Sequence, residues 1–523
     1  MTATNRASGI ELNAASRNVV EHNDVSQAGT SGIGIKNVSD DNMFRDNDAS
    51  GSNVGINYFA TGSGNSYVDN DLSGTAQRGL VIRNDSEFVA MGNDFTGSQH
   101  GMWLGFMDDL ELIAASTTFD IDVSSVDGIG LTLVEISGNS IVDGLDLSYI
   151  NGGASGTGFE LWNSDGVIVS NVTATNRSRG IQLIGASGNT VDHNNVSQSG
   201  GHGIHIIGVS NVNTISNNNA SGSVIGIEYF GTGLANYFVD NNLSGATNWG
   251  LVVYRDEQFV ATGNDFTDSV NGMLVKHMDG ITLAPSATFD IDVSTVTGVG
   301  LRFHFVTNST VDGLDLSYSG STATGTGLNL FVNSDNNTVR NVTATNRNTG
   351  IQLNKADGNL IEQNNVSQAG DRGIDLEASN ANVFRQNDAS GSFVGIGAFP
   401  SLGNDYVDND LSGTERWGLV IIGDAQFVAT GNDFTSSGRG VYLANMDGIT
   451  LTPSATFDID VSTVTGTALN LVSITNSTVD GLDLSYTGSG ASGMGLSLIN
   501  SHVNTVRNVT VGNRDTRHFP DGI

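Results

Sequence analysis

The chain has 523 residues, with 68 glycines, 4 prolines, no cysteine and a formal net charge of −34 at pH 7. The absence of cysteine excludes a disulfide scaffold, and the shortage of Lys and Arg argues against nucleic acid or an anionic membrane as partner. A hydrophobic fraction of 38% supplies a large core, and no apolar run is long enough to predict membrane insertion.

Three near-copies of one segment make up the sequence. The tripeptide Thr-Asn-Arg recurs at 4–6, 175–177 and 345–347, and TFDIDVS recurs at 118–124, 288–294 and 456–462. We therefore predict a single continuous domain over 1–523 with internal repeats over 1–172, 173–342 and 343–509, and the start of a further repeat or a tail over 510–523.

Each copy divides into seven coils of 22 to 30 residues that open on a Gly-Ile-x-Leu-like phrase. A typical coil, residues 9–31, contains three short runs of alternating apolar and polar residues, separated by Gly, Asn and Ser. Such alternation is typical of strands, and no segment shows helical periodicity. One coil cannot bury its own apolar face, but stacked coils can. The pattern predicts an all-β solenoid of about 21 coils.

The third run of every coil has an acid or amide, then an apolar residue, then a hydroxyl, as in Asp24-Val25-Ser26. A period of two places Val25 inward and both polar columns outward. A column of asparagines, including Asn23 and Asn47, comes one residue earlier. Asn tolerates the left-handed backbone of a sharp corner, and stacked Asn side chains bond to one another. We expect an asparagine ladder at this corner.

The coil pattern resembles a known family. The segments GASGNTVDHNNVS at 185–197 and KADGNLIEQNNVS at 355–367 show it well. They resemble the right-handed parallel β-helix repeats of the pectate-lyase-like superfamily, in particular the NosD-like, carbohydrate-binding and sugar hydrolase repeats. The resemblance implies a right-handed parallel β-helix. It leaves the activity open, because the superfamily includes lyases, hydrolases, epimerases and binding or structural arrays.

Stacked carboxylates predict a calcium-stabilised corner. Neighbouring coils lie about 4.8 Å apart, so two stacked carboxylates repel by about 1 kcal/mol in water. Ca²⁺ would relieve the repulsion, since it accepts carboxylate oxygens in flexible geometry. A solvated acidic face without an ion is the alternative. The predicted metal ligands are Asp120, Asp122, Asp146, Asp290, Asp292, Asp315, Asp458, Asp460 and Asp483.

The first strand of each coil differs between copies at its outward positions, and the middle copy gathers basic residues there. A base (Lys276 or His304) beside the cation of Arg302 and the phenol of Tyr254 suits β-elimination or C5-epimerisation of a uronate. We therefore predict Lys276, His304, Arg302 and Tyr254 as candidate catalytic residues. Sequence drift on a solvent-facing surface, or simple glycan contact, is the alternative.

Aromatic and polar residues along the same face predict a groove for an extended polysaccharide, because sugar rings stack on aromatic rings. Partial burial of the aromatics under a loop is the alternative. The predicted carbohydrate-binding residues are Trp103, Trp162, Trp249, Glu228, His205, Trp417 and Tyr442.

These patterns predict an extracellular or cell-surface scaffold that binds carbohydrate, stabilised by Ca²⁺. The alternative is a polysaccharide lyase or C5-epimerase that acts on an acidic glycan through the first-strand groove of the middle copy. The first residues show no signal peptide, and neither end shows a capping element. The expected partners are therefore a polysaccharide or cell-surface glycan and neighbouring β-helix repeats of a longer chain.

Overall fold

The computed structural model describes residues 1–85, 87–114, 116–151 and 153–515. Residues 516–523 of the predicted further repeat lie outside this range. The chain forms two compact units, Met1–Ser269 (the first unit) and Val270–Ile523 (the second unit). Each unit is a parallel β-helix, and the described residues contain strands but no α-helix. Among these residues no helix is long and apolar enough to cross a membrane.

The longer strands open the coils and form the first sheet, in which neighbouring strands of the described residues pair in parallel. The part of the chain that the structure describes contains 21 such strands, in agreement with the predicted number of about 21 coils. In the first unit they are Ser8–Asn13, Ser31–Asn37, Val54–Ala60, Arg78–Arg83, Met102–Asp108, Ile129–Ser137, Thr157–Trp162, Arg179–Ile184, His202–Gly208, Ile225–Gly231 and Trp249–Tyr254. In the second unit they are Asn271–Asp279, Val299–Thr307, Thr326–Phe331, Thr349–Asn354, Arg372–Glu377, Val394–Phe399, Trp417–Ile422, Val441–Asp447, Leu469–Thr475 and Leu496–Ile499.

Shorter strands follow in each coil and form separate parallel sheets. In the first unit they are Val19–Glu21, Met43–Arg45, Ser66–Val68, Val89–Met91, Glu111–Ile113, Ile141–Asp143, Ile168–Ser170, Thr190–Asp192, Thr214–Ser216, Tyr237–Val239 and Val260–Thr262. In the second unit they are Thr282–Leu283, Thr310–Asp312, Thr338–Arg340, Leu360–Glu362, Val383–Arg385, Asp405–Val407, Val428–Asp433, Thr450–Leu451, Phe457–Asp460, Thr478–Asp480 and Thr505–Arg507.

The third run of most coils forms a single parallel bridge in place of the predicted strand. Asp24 bridges Asp48, and Asp48 bridges Asp71, so like residues lie one above another as predicted. The run is short because the chain turns at once: Asp48 Oδ1 accepts the backbone N–H of Ser50 at 3.0 Å. This turn explains the spacing of acid and hydroxyl in the sequence. Val25 between them is fully buried, as the period of two predicts.

The opening glycine of most coils is required by close packing, and Ala468 takes its place in the coil that contains strand Leu469–Thr475. A Cβ on Gly55 would lie 2.5 Å from the carbonyl oxygen of Gly79 in the next coil. Only glycine lets the backbone of the two coils approach so closely at this point. The residues that follow the glycine pack inward, and Ile56 and Leu80 are fully buried. The Gly-Ile-x-Leu phrase therefore marks the point where each coil enters the core.

The predicted asparagine ladder is present. Asn23 Nδ2 donates to Asn47 Oδ1 at 2.9 Å, and Asn47 Nδ2 donates to Asn70 Oδ1 at 3.0 Å. The expected left-handed backbone of the ladder asparagines was wrong, since it belongs to the residue before each of them, with φ 52° at Asp46 and 53° at Asp69. The reason is that the ladder residue also uses its backbone: Asn47 N donates to Asn70 Oδ1 at 3.2 Å.

The arginine of each later Thr-Asn-Arg repeat lies inside its β-helix. Arg177 is fully buried and donates to the carbonyl oxygens of Leu147, Val126 and Val123 at 2.6 to 2.8 Å. Arg347 makes the three equivalent bonds in the second unit. Burial lowers the pKa of both guanidinium groups to about 10. The repeat marked these residues in the sequence, but their structural role was not predicted.

Candidate functional site

The outer face of the first sheet carries the residues that differ between coils. Its central column consists of the side chains between the two inward apolar residues of each strand. In the first unit this column stacks Glu160, Gln182, His205 and Glu228 on successive strands. Neighbouring side chains cover one another, so that Glu160 is only 6% exposed although it points away from the core. The outer face therefore offers partly desolvated polar groups.

A groove of about 450 Å³ crosses this face in the second unit. Its floor is aromatic, since the rings of Trp417 and Tyr442 meet edge to face with centroids 5.3 Å apart. The guanidinium of Arg439 lies 5.2 Å from the centroid of the Trp417 ring. The main lining residues are Arg372, Phe399, Arg416, Trp417, Arg439, Tyr442 and Asn470. We call this region the aromatic groove.

Arginines surround the floor of the aromatic groove. The Arg372 guanidinium lies 4.7 Å from the Phe399 ring centroid and 2.9 Å from a carboxylate oxygen of Asp371. Arg416 is exposed and lies 5.8 Å from the Phe393 ring centroid. Arg372 also lies 3.5 Å from Asp375, so its charge is balanced by two carboxylates, and Arg416 and Arg439 add further positive charge to the groove of a chain with a net charge of −34. Guanidinium groups pair with carboxylates and other planar anions in two-point contacts.

Within the described residues, Asn470 places an unpartnered acceptor in the aromatic groove. Asn470 belongs to the central column, next to Tyr442. It is 8% exposed, and its Oδ1 atom has no hydrogen-bond partner among the described residues. Leaving a buried acceptor unpaired costs about 1 to 3 kcal/mol. A ligand hydroxyl that donates to Asn470 Oδ1 would remove this cost.

The predicted aromatic residues are less exposed than the sequence suggested. Trp417 is 5% exposed because it packs with Val394 and Val420, and Trp249 is 7% exposed. Trp162 is 42% exposed. The structure therefore brings Trp417 and Tyr442 into one groove and leaves the other tryptophans apart from it.

Trp103 lies in a second cluster of rings and cations, in the first unit. The Arg83 guanidinium lies between two rings, 4.3 Å from the Phe59 centroid and 4.1 Å from the Phe106 centroid. It also lies 5.7 Å from the Trp103 ring centroid. Trp103 therefore belongs to a ring and cation cluster of the first unit and does not line the aromatic groove.

His205 and Glu228, predicted from the sequence, are joined by His202, which the sequence analysis missed. The carboxylate oxygen Glu228 Oε2 lies 2.7 Å from His202 Nε2 and 3.4 Å from His205 Nε2. The two imidazole rings stack with centroids 4.4 Å apart. Burial, followed by the charge of His202, lowers the pKa of His205 to about 4. These three residues are called the His-Glu cluster.

The predicted catalytic residues are divided between the units, with Tyr254 in the first and Lys276, Arg302 and His304 in the second. Lys276 and His304 face each other on adjacent strands. Burial and the neighbouring cations, Lys276 foremost, lower the pKa of His304 to about 4, and its ring stacks on Phe305 at 4.6 Å. The imidazole is therefore neutral at pH 7 but binds protons weakly. The catalytic assignment stays a prediction.

The predicted calcium ligands are all exposed. Several already accept backbone hydrogen bonds, such as Asp122 Oδ1 from Ser124 N and Asp146 Oδ1 from Ser148 N, both at 3.0 Å. Asp120 and Asp122 line a shared hollow of about 430 Å³. In the described part of the chain, no three carboxylates bring their oxygens within 4.8 Å of one another. The calcium assignment therefore stays a prediction that rests on the sequence pattern.

Three arginines of the aromatic groove were missed, although the sequence carries a signal for them. Arg372 and Arg439 directly precede the opening glycine of their coils, and Arg416 stands one residue further back. This position flanks the outer face at the start of the first strand. A comparison of this position between coils would have revealed the three arginines.

Two family models match the chain. The model described as "Periplasmic copper-binding protein (NosD)" matches residues 1–121 and 286–453, which is more than half of the chain. The model "Right handed beta helix region" matches residues 78–243. Together with the parallel strand pairing, these matches confirm the predicted right-handed parallel β-helix. No curated protein matches the chain.

Solved structures with a similar chain course include an epimerase, a glucanase domain and a bacteriophage tailspike protein. The periplasmic alginate epimerase AlgG is 14% identical, with 77% of this chain and 84% of that chain covered and a TM-score of 0.31. A catalytic domain of GH87 α-1,3-glucanase in complex with tetrasaccharides is 14% identical over 58% and 62%, with a TM-score of 0.30. Tailspike protein 3 of bacteriophage CBA120 is 11% identical over 82% and 58%, with a TM-score of 0.29.

Proposed function

The chain belongs to the NosD family, and from the site on its β-helix we propose that it is a carbohydrate-binding protein. The aromatic groove holds a segment of an acidic polysaccharide against the outer face of the first sheet. The observation that carries this proposal is the edge-to-face pair of Trp417 and Tyr442 with the Arg439 guanidinium 5.2 Å from the indole. The partly exposed ring of Tyr442 takes up the apolar face of a sugar, the buried Trp417 holds that ring in place, and the Arg439 guanidinium pairs with a uronate carboxylate.

The other groups of the aromatic groove fit the same ligand. Arg416 adds a second cation beside Arg439, which suits a chain of repeated acidic sugars. Asn470 Oδ1 offers a buried acceptor to a sugar hydroxyl. The family description names a periplasmic protein, so a location outside the cytoplasm, periplasmic or extracellular, is part of the proposal.

Calorimetry with oligouronates and neutral oligosaccharides of equal length tests the proposal. We expect the oligouronate to bind more tightly, and Trp417→Ala and Tyr442→Ala each to weaken it at least tenfold. Arg439→Gln should reduce the preference for the acidic sugar. Trp162→Ala is the matched control, because Trp162 is exposed and lies in the other unit. Equal losses in Trp162→Ala and Trp417→Ala, or no binding by the intact chain, would overturn the proposal.

Catalysis on the same class of ligand is a second candidate. The observation that favours it is the register pair of Lys276 and His304, with Arg302 two residues before His304 on the same strand. β-Elimination by a lyase produces an unsaturated uronate that absorbs in the ultraviolet, and an epimerase changes the sugar composition. Product that disappears in both Lys276→Ala and His304→Ala would support an enzyme. Binding without product would leave a carbohydrate-binding protein.

A further inference from the structure

We propose that His202, His205 and Glu228 bind a divalent transition-metal ion on the outer face of the first unit. One ligand atom from each residue lies within 4.8 Å of the other two. The two histidines belong to one strand, His202–Gly208, and Glu228 faces His205 from the next strand. A rigid pair of strands thus places all three donors. This site is separate from the aromatic groove and does not depend on the proposed carbohydrate binding.

The donor set suits this class of metal. Two imidazole nitrogens and one carboxylate oxygen are common ligands of Zn²⁺ and Cu²⁺, and three protein ligands leave a position open to water or another ligand. The assignment rests on this donor set, because the match to the NosD family covers residues 1–121 and 286–453 and does not include the cluster. All three side chains are partly buried, which reduces competition from water.

The ring geometry and one nitrogen of His202 that has no partner in the described part of the chain agree with a role of the cluster as a metal site. The planes of the His202 and His205 rings lie 15° from parallel. The lone pair of an imidazole nitrogen lies in the plane of its ring, so the lone pairs of the two residues do not converge on one point. One ring therefore has to turn before both nitrogens can bind the same ion. Turning the His202 ring would break no hydrogen bond at Nδ1, because that atom is buried without a hydrogen-bond partner among the described residues, and its Nε2 atom would keep Glu228 as a neighbour. Glu228 Oε2 already lies near both Nε2 atoms.

Gln182 lies opposite His205 on the preceding strand. Gln182 Nε2 lies 3.3 Å from His205 Nδ1, and both side chains are buried. With a metal on Nε2, the ring proton moves to Nδ1, and the amide of Gln182 turns to accept it through its oxygen. Such a partner fixes the tautomer and orientation of a ligating imidazole. Arg179 lies beside His202 on the preceding strand, and its positive charge lowers the affinity of the cluster for a metal cation.

The test uses the full chain without an affinity tag, titrated separately with Cu²⁺ and Zn²⁺ by calorimetry. We expect one ion per chain for either metal, and at least tenfold weaker binding in His202→Gln, His205→Gln and Glu228→Gln. The copper-loaded protein should show splitting from two nitrogens in its electron paramagnetic resonance spectrum. His205→Gln should reduce this to one nitrogen.

His22→Gln is the matched control, since His22 is exposed and its Nε2 atom lies 3.8 Å from Asp46. It should bind metal like the unaltered chain. Circular dichroism melting identifies any variant that fails to fold, and the three single variants provide independent measurements. Unchanged affinity in all folded cluster variants, equal losses in His22→Gln, or no bound metal in the unaltered chain would overturn the assignment.

Discussion

The corner of the coils and the outer face of the first sheet use one repeat in opposite ways. At the corner, each asparagine bonds to the same residue of the next coil, as Asn364 Nδ2 does to Asn387 Oδ1 at 2.9 Å. On the outer face, neighbours in a column differ, and Val420, Tyr442 and Asn470 follow one another. A change in one ladder residue removes a bond from two coils, whereas a change on the face affects mainly its own surroundings. Uniform columns therefore hold the coils together, whereas the varied columns carry the side chains of the proposed binding sites.

The largest loss of stability is expected from a change in a buried arginine. Arg347→Met leaves three buried carbonyl oxygens without their donor, so we expect a loss of about 3 to 5 kcal/mol in the free energy of unfolding. Denaturant titration measures it. Arg340→Met is the control, because Arg340 is exposed and pairs with Asp312 at the surface, which is worth at most about 1 kcal/mol. Equal losses would contradict the structural role of Arg347.

The asparagine ladder should give the next largest effect. Asn387 donates to Ile361 O and to Asn409 Oδ1, both at 2.9 Å, and is 1% exposed. Asn387→Ala leaves buried partners unpaired and should cost about 1 to 3 kcal/mol. Asn348→Ala, at an exposed position, should change the denaturation midpoint little. A ladder variant as stable as this control would show that the stacked amides do not hold the coils together.

The outer face should respond to pH. The pKa of His304 is lowered to about 4, against about 6.5 in the unfolded chain. As the pH falls from about 6.5 to 4, the unfolded chain binds a proton that the folded chain does not, so stability decreases over this window. His304→Gln should flatten the decrease, and melting curves at several pH values measure it. An identical pH dependence in both chains would show that His304 is not desolvated in the folded protein.

Calcium should have the smallest effect. The stacked carboxylates of Asp24, Asp48 and Asp71 repel one another weakly in water. Millimolar Ca²⁺ should therefore raise the melting midpoint by roughly one or two degrees, and EDTA should reverse the change. Sodium chloride at the same ionic strength controls for simple screening. An unchanged midpoint would remove Ca²⁺ from the account of the corner.

The sequence predicted those features that repeat. The coils, the inward Val25 and the Asn23 to Asn47 ladder follow from periods of two and of one coil, and the structure confirms them. The position of the left-handed residue was missed, because Asp46 and Asn47 both suit a corner and only the bond to the next coil separates their roles.

The sites were harder to predict because they depend on side chains far apart in the chain. Arg372, Tyr442 and Asn470 meet only after several coils have stacked, and none of them repeats between copies. His202 escaped notice because it lies outside the alternating positions of its strand, next to the opening glycine. Tyr254 and Lys276 were predicted as catalytic residues because basic and aromatic residues cluster there in the sequence. Such clustering does not give the distance between two side chains.

A crystal structure of the chain soaked with a uronic acid hexasaccharide would show directly whether the aromatic groove binds an acidic polysaccharide. The account predicts sugar density along the outer face of the first sheet, with one ring against Tyr442 and Trp417 and a carboxylate within hydrogen-bond distance of Arg439. Density confined to the acidic corner, or an empty groove in a crystal that leaves it open to solvent, would contradict the assignment of binding to the varied columns.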